Sequence, residues 1–376
     1  MGKIVYVGAY DTTLDKFESQ YEVPNGVTYN SYVIIDEKIA VLDTIDKRKG
    51  DEWFANLDKA FEGRKPDYLI VSHMEPDHSA NIEALANKYP EMKLVASKQA
   101  IPMLKNFTSL DIDARTIVAN EGDTLSLGEH TLTFIMAPLV HWPEVMVEYE
   151  SRTKTLFAAD GFGRFGDFNE DSPWEDEARR YYFNIVGKYG VQTANLLKKA
   201  ANLDIARICP LHGPILTKDL SKYFNLYAKW SSYEPECPDK VTIVSASIHG
   251  NTYKAAKYLA DKLGDRAELI DITRTEYSYA LSSAFKNGTL VLFCATYNLE
   301  MFSPMADFLE RLHNKTYRKR RVAIIENGSW APMAAKKMLE SLSTLKDIEI
   351  IADPITIPST AKADTLAKLD DLATKL

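Results

Sequence analysis

Short apolar or alternating runs recur along the first part of the chain, at residues 3–7, 32–35, 39–42, 68–71, 93–96, 130–137, 145–149 and 155–158. Runs of this length, bounded by polar turn residues, read as strands. Longer stretches with apolar positions three and four apart separate some of them, at 51–63, 79–89 and 97–107, and these read as helices. A further helical region, 177–203, carries a break at Lys188, Tyr189 and Gly190. Strand runs with helices between and after them predict a layered α/β domain, sheets inside and helices outside.

From residue 241 the rhythm becomes regular. Strands at 241–244, 267–271, 290–295, 322–326 and 348–351 alternate with helices at 251–263, 275–286, 304–313, 332–343 and 361–375. Five such units predict an open, doubly wound parallel sheet covered on both faces. Between the two patterns, residues 232–239 hold Pro235, Pro238 and the acids Glu234, Glu236 and Asp239. Prolines and charges punctuate a chain, so the expected domains are 1–237 and 238–376.

Composition adds bounds. At 376 residues, two domains are the natural expectation. Hydrophobic content of 45% and charged content of 26% are those of a soluble globular protein. A net charge of -8 gives no footprint for nucleic acid or an anionic membrane. The one basic run, Tyr317 to Arg321, precedes a strand and reads as a solvated turn. No apolar stretch is long enough to span a bilayer, and the N-terminus reads as a strand rather than a signal peptide. Cys209, Cys237 and Cys294 are far apart and form no C-x-x-C pair, which fits a reducing cytoplasm.

The chemistry concentrates at strand ends. His73, Glu75, Asp77 and His78 fall within six residues, directly after the run 68–72. His141, Asp160 and His212 each follow another strand-like run. Strand ends on one edge converge, so these seven side chains can share one pocket. Any one of them alone reads better as a satisfied core histidine, a solvated loop carboxylate or a helix cap; the joint pattern overturns this and points to metal. No thiolate takes part, and a mix of imidazole and carboxylate suits iron or manganese, with zinc as competitor.

The order H-x-E-x-D-H, then His, Asp and His, resembles the metallo-β-lactamase-like superfamily. Most members are zinc hydrolases with His at the third motif position. Glu75 stands there instead, and in this form the set resembles the flavodiiron proteins. Residues 24–32, the His141–Pro143 and Asp160–Gly166 loops and residues 180–190 match that family too. The resemblance implies an N-terminal αββα sandwich holding two iron ions. Asp160 then bridges, His73, Glu75 and His141 hold one iron, and Asp77, His78 and His212 hold the other. It also implies that Tyr29 and Tyr189 line the pocket and hydrogen-bond bound oxygen species.

A second constellation follows the first strand of the later domain. Ser247, Ile248, His249, Gly250, Asn251 and Thr252 open a helix, where free backbone N–H groups favour an anion. The spacing is neither Walker A nor G-x-G-x-x-G; it looks like the flavodoxin loop around the FMN phosphate. Ala295, Thr296, Tyr297 and Asn298 end the third strand and resemble the flavodoxin loop beside the isoalloxazine. Asn327, Gly328, Ser329 and Trp330 end the fourth. Family members often carry Gly-Ser-x-Gly-Trp here; this chain keeps the Trp, placed to stack on a flavin face, and departs before it.

Together the resemblances imply reduction of dioxygen to water, or of nitric oxide to nitrous oxide, with electrons relayed through FMN to the irons. They imply a separate donor, such as rubredoxin or another reduced carrier, and a head-to-tail homodimer or dimer of dimers. The alternatives are a dinuclear zinc hydrolase and a plain flavin electron carrier. The preference for O2 or NO, the donor's identity and the flavin potential are left open by the sequence.

Overall fold

The structure, a computed structural model, describes residues 2–376. The chain forms two compact units. One runs to Tyr182 and resumes over Tyr189–Ala228; the other takes Phe183–Lys188 and Lys229–Leu376. Residues 229–237, expected in the first domain, therefore belong to the second. The reason is local anchoring: Tyr233 Oη donates to the Gly187 carbonyl at 2.9 Å, and Arg320 Nη1 donates to the Tyr233 carbonyl at 2.7 Å. The same contacts correct the reading of the basic run. Arg320 and Tyr317 are buried, so part of that run is interior rather than solvated.

In the first unit, a six-stranded sheet runs in the order Lys3–Tyr6, Tyr32–Ile35, Ile39–Leu42, Tyr68–Val71, Lys93–Ser97, Thr116–Ala119. A five-stranded sheet runs Thr124–Ser126, Thr131–Met136, Met146–Glu150, Thr155–Phe157, Arg207–Cys209. Their facing side chains make one core, with Tyr32, Ile34, Leu42, Ile70 and Val95 against Leu132, Phe134, Met146 and Phe157. Each large apolar side chain buried there contributes roughly 1.5–3 kcal/mol. Helix Gly50–Phe61 buries Gly50, Trp53, Leu57, Ala60 and Phe61, at three- and four-residue spacing, and leaves its charged positions exposed. Thr116–Ala119 and Thr124–Ser126 were not anticipated as strands. Both are short and lie at sheet edges, where apolar alternation is weak.

Strand direction places the ligand loops. Ile39–Leu42, Tyr68–Val71 and Lys93–Ser97 are mutually parallel. In the other sheet, Thr131–Met136 and Thr155–Phe157 are each antiparallel to Met146–Glu150, and Arg207–Cys209 is parallel to Thr155–Phe157. The strands that precede His141, Asp160 and His212 thus end on one edge.

The second unit is a parallel sheet in the order Ala267–Asp271, Cys237–Ala246, Asn287–Tyr297, Arg320–Asn327, Ile348–Ile350. Alternate residues face opposite helix layers. Val241, Ile243, Val291, Phe293 and Ile325 pack with Ala256, Leu259, Leu369 and Leu372. Thr242 points the other way, its hydroxyl donating to the Ser283 carbonyl of helix Tyr277–Lys286 at 2.9 Å. The fifth strand is interrupted: Ile348–Ile350 pairs with the start of Arg320–Asn327, and Ile355–Ile357 with its end. Pro354, which lacks an N–H, sits in the gap. Strand order reverses between Cys237–Ala246 and Asn287–Tyr297, so the crevice for a ligand lies beyond their carboxyl ends. Among the described residues, no helix is long and apolar enough to cross a membrane.

Candidate metal centre and cofactor cleft

The seven expected ligands come together in the first unit as two adjoining sets. His73, Glu75, His141 and Asp160 form one; Asp77, His78 and His212 form the other. Asp160 stands between them. Its Oδ2 lies 3.2 Å from both His73 Nε2 and His141 Nε2, and its Oδ1 lies 3.4 Å from His78 Nε2 and 3.7 Å from His212 Nε2. Glu75 Oε2 is 3.0 Å from His141 Nε2 and 3.3 Å from His73 Nε2. Asp77 Oδ2 is 3.2 Å from His212 Nε2 and 3.3 Å from His78 Nε2. His78, at 3.1 Å from His212 between their Nε2 atoms, points into the second set.

Two of the imidazoles, His73 and His212, are fixed from behind. His73 Nδ1 donates to Glu144 Oε1 at 2.8 Å, and the same oxygen accepts from Met74 N at 2.8 Å. Asp43 Oδ1 accepts from Ser72 N at 2.8 Å and from His73 N at 3.2 Å, which pins the loop's first turn. His212 Nδ1 donates to the Thr28 carbonyl at 2.6 Å. Gly213, which follows His212, has φ +81° and a backbone so close to Arg164 that an added Cβ would sit 2.7 Å from its Cγ. These contacts commit the ring nitrogens on the far side to the cluster, the arrangement that tunes metal-binding histidines.

The cluster is unsatisfied without a cation. Both carboxylate oxygens of Asp77 and of Asp160 are buried and accept no well-aligned hydrogen bond. A buried carboxylate with no donor is costly, and here two of them face four imidazole nitrogens. Electrostatics agree. Burial drives the His73 imidazole toward neutrality, but Asp160, Glu144 and Glu75 outweigh it and hold its pKa well above the ordinary value. Burial acts likewise on His141, yet Asp160 and Glu75 push it up to about 9. Burial raises the carboxylates, and the surrounding imidazoles overcome it, keeping Asp160 and Glu75 well below the usual range. That carboxylate field suits a metal cation, whose binding would displace the imidazole protons. Carboxylate and imidazole donors without thiolate suit iron, and Glu75 hardens the set further.

The cluster opens to a recess of about 350 Å³ lined by Phe17, Glu18, Tyr29, Asp46 and Arg48, with Glu75 and Asp77 at one side. Arg48 holds Tyr29: its Nη2 donates to Tyr29 Oη at 2.8 Å, while Asp46 accepts from Arg48 Nε at 3.0 Å and from Nη2 at 3.1 Å. Burial raises the Tyr29 pKa and keeps the phenol protonated. Tyr189 does not line the recess. It is the N-cap of helix Gly190–Ala200, where its carbonyl accepts from Thr193 Oγ1. Tyr181, earlier on helix Glu175–Ile185, lies beside Asp160 instead. Sequence reasoning missed Tyr181 and Glu144. Tyr181 stands in the aromatic run of residues 181–183, within a segment already singled out, and Glu144 directly follows the His141–Pro143 loop. The Thr28 carbonyl left no sequence signal.

In the second unit, every residue expected at the cofactor except Gly250 lines one cleft of about 350 Å³. Leu299 and Ser359 join them. Gly250 serves from behind as the N-cap of helix Asn251–Leu263, at φ +88°, and its N–H donates to Ser247 Oγ at 3.0 Å. Thr296 Oγ1 accepts from Met333 N and Ala334 N, so the second loop is tied to the start of helix Ala334–Leu342. Ser329 and Ser359 hydroxyls meet at 2.6 Å. The rim is apolar and open: Trp330 is 73% exposed and Tyr297 53%. Polar backbone at a helix N-terminus inside and aromatic surface at the rim fit a phosphate-bearing planar cofactor.

Comparison with known proteins gives concordant matches. Residues 27–213 match the family described as ODP family beta lactamase. The chain is 30% identical to the nitric oxide reductase of Moorella thermoacetica, over 99% of its own length and 96% of that protein. It is 26% identical to the anaerobic nitric oxide reductase flavorubredoxin of Aliivibrio fischeri, over 86% of this chain and 68% of that one. Its structure is similar to rubredoxin oxygen:oxidoreductase from Desulfovibrio gigas, with a TM-score of 0.91 and 26% identity over 99% and 95% of the two chains. The flavodiiron protein from Giardia intestinalis shares the fold, with a TM-score of 0.89 at 23% identity over 99% and 94%.

Proposed function

The chain belongs to the flavodiiron proteins, and on that premise we propose that it is an oxidoreductase that reduces nitric oxide to nitrous oxide, dioxygen to water, or both. The observation that carries the reading is Asp160, whose two oxygens face two separate ligand sets at 3.2 and 3.4 Å. In this reading His73, Glu75 and His141 would hold one iron, Asp77, His78 and His212 the other, and Asp160 would serve both. Iron bound there supplies the one-electron chemistry that side chains lack.

The chain's own residues prepare the rest. Glu144 and the Thr28 carbonyl orient two imidazoles toward the metals. The recess admits a diatomic gas. Tyr29 stands at that recess with Arg48 donating to its oxygen, so its own O–H proton is directed elsewhere and is free to serve the substrate's developing charge. Reduction to water or to nitrous oxide consumes protons, and a fixed phenol donor shortens their path.

In the second unit's cleft, residues 247–252 would hold the phosphate of FMN, and Tyr297 and Trp330 would border its ring. Rubredoxin or a similar reduced carrier supplies electrons to it. The exposed apolar rim of Ile248, Tyr297, Leu299 and Trp330 supports pairing with a second copy, head to tail, as a homodimer or dimer of dimers. Three free cysteines, two of them buried, support a reducing compartment such as the cytoplasm.

The deciding experiment joins metal and flavin analysis to anaerobic stopped-flow of the reduced protein against O2 and NO. Two irons and one FMN per chain, with rapid reoxidation by either gas, are expected. Two zincs without flavin absorbance would mean a hydrolase on the same frame. Bound FMN with gas reduction unaffected by loss of Asp160 would leave a plain electron carrier.

A further inference from the structure

The cofactor cleft is almost free of charge. No lysine, arginine, aspartate or glutamate lines it, and among its lining residues only His249 can carry a positive charge. The groups that face the cleft from the other elements are uncharged residue types: Tyr297 at the end of strand Asn287–Tyr297 and Asn298 just after it, Ser329 beyond Arg320–Asn327, and Ser359 beyond Ile355–Ile357. Lys254, one turn into helix Asn251–Leu263, is not part of the lining. His249 itself lies in the loop that opens this helix, directly before Gly250 at φ +88°. The turn that frees backbone N–H groups for an anion therefore also carries the imidazole.

Resting on the flavin reading above, we propose that His249 is the charge partner of the FMN phosphate and makes cofactor retention proton-linked. Histidine is the side chain that ordinarily changes charge between about pH 5 and 8. An imidazolium beside a phosphate forms a charge-assisted hydrogen bond, and a neutral imidazole forms a weaker one. The sign follows: the contribution of His249 to FMN affinity is present at low pH and is lost as pH rises. The phosphate titrates near pH 6 on its own account, in wild type and variants alike. Comparing variants at each pH removes that common effect.

The test uses the full-length, iron-loaded protein stripped of flavin and titrated by fluorescence quenching at pH 6 and pH 8. FMN and riboflavin, which lacks the phosphate, are each offered to wild type, His249→Gln and His249→Lys. At pH 6, His249→Gln is expected to bind FMN about threefold to tenfold more weakly than wild type, with the difference shrinking toward unity at pH 8. His249→Lys, a permanent cation, retains tight binding at both. Riboflavin affinity is the same for all three proteins. A wild-type to Gln ratio that does not change with pH overturns the proposal, as does an equal change with riboflavin, which would put the imidazole on the ring. Failure of wild type to bind either flavin overturns the flavin reading itself. The Lys variant keeps the test decisive if His249→Gln folds poorly.

Discussion

The two sites are built on opposite plans. The metal cluster is deep: His73, His78, His212 and Asp160 are almost wholly buried, and its donors arrive from four separate strand ends. Each of several ligands has a second contact that fixes its ring or backbone. The flavin cleft is more exposed, lined by residues from the loops at strand ends, none of them Asp, Glu, Lys or Arg, with Trp330 standing mostly in solvent. One site is specified by side-chain chemistry, the other by where the chain turns. A site of the first kind fails all at once when a member is lost. A site of the second kind loses function in steps.

The largest effect that this contrast predicts is at Asp160. Asp160→Ala removes the group shared by both sets and leaves four imidazoles without it. Turnover of O2 and NO is expected to fall by more than about a hundredfold, beyond the range of outer-shell changes. Iron content falls too, while FMN stays bound, as read by metal analysis and flavin absorbance on one sample. Retention of both irons would break the contrast at its strongest point. Glu144→Ala comes next. It removes the acceptor of His73 Nδ1 and of Met74 N, so the ring loses both tautomer and orientation. A loss of about 10- to 100-fold in iron affinity or activity is expected, measured by chelator competition.

The same contrast explains what the sequence disclosed. Ligands must be His, Asp or Glu, so their residue types and their positions after strand runs were visible, and all seven lie where those strands end. Their supports need not be special residues. Thr28 acts through its carbonyl, and Tyr189 was expected in the pocket although the break at Gly187–Tyr189 turns it into a helix cap and leaves Tyr181 facing Asp160. In the second unit the strand-helix rhythm disclosed the sheet and the three cleft loops, because its central strands, Cys237–Ala246, Asn287–Tyr297 and Arg320–Asn327, are buried on both faces over most of their length and read as continuous apolar runs. Ser359 escaped notice because the fifth strand is broken before Pro354, which hid the strand that positions it. The domain boundary shifted for a similar reason: prolines marked a turn, but Tyr233 and Arg320 tie that turn to the unit that follows.

Smaller effects sharpen the comparison at the edges of each site. Arg48→Gln leaves the ligands in place but removes the cation that donates to Tyr29. A hydrogen bond of this kind is worth about 0.5–1.5 kcal/mol net, so a loss of about threefold to tenfold in turnover is expected with iron and FMN content unchanged. Tyr29→Phe and the double variant complete a cycle; equal losses in Arg48→Gln, Tyr29→Phe and the pair would show that Arg48 acts through the phenol.

Trp330→Ala is the mildest and tests the open plan directly. With 73% of the residue already in solvent, its removal exposes little core and shifts stability by no more than about 0.5 kcal/mol in a thermal melt. Stacking of an aromatic side chain on a flavin ring would be worth roughly 0.5–1.5 kcal/mol, so FMN affinity should weaken by about threefold to tenfold while iron content stays constant. An all-or-none loss of FMN would mean that Trp330 closes the cleft instead of bordering it. The two sites would then differ in depth alone, because the flavin site would depend on one side chain as strictly as the metal site depends on Asp160.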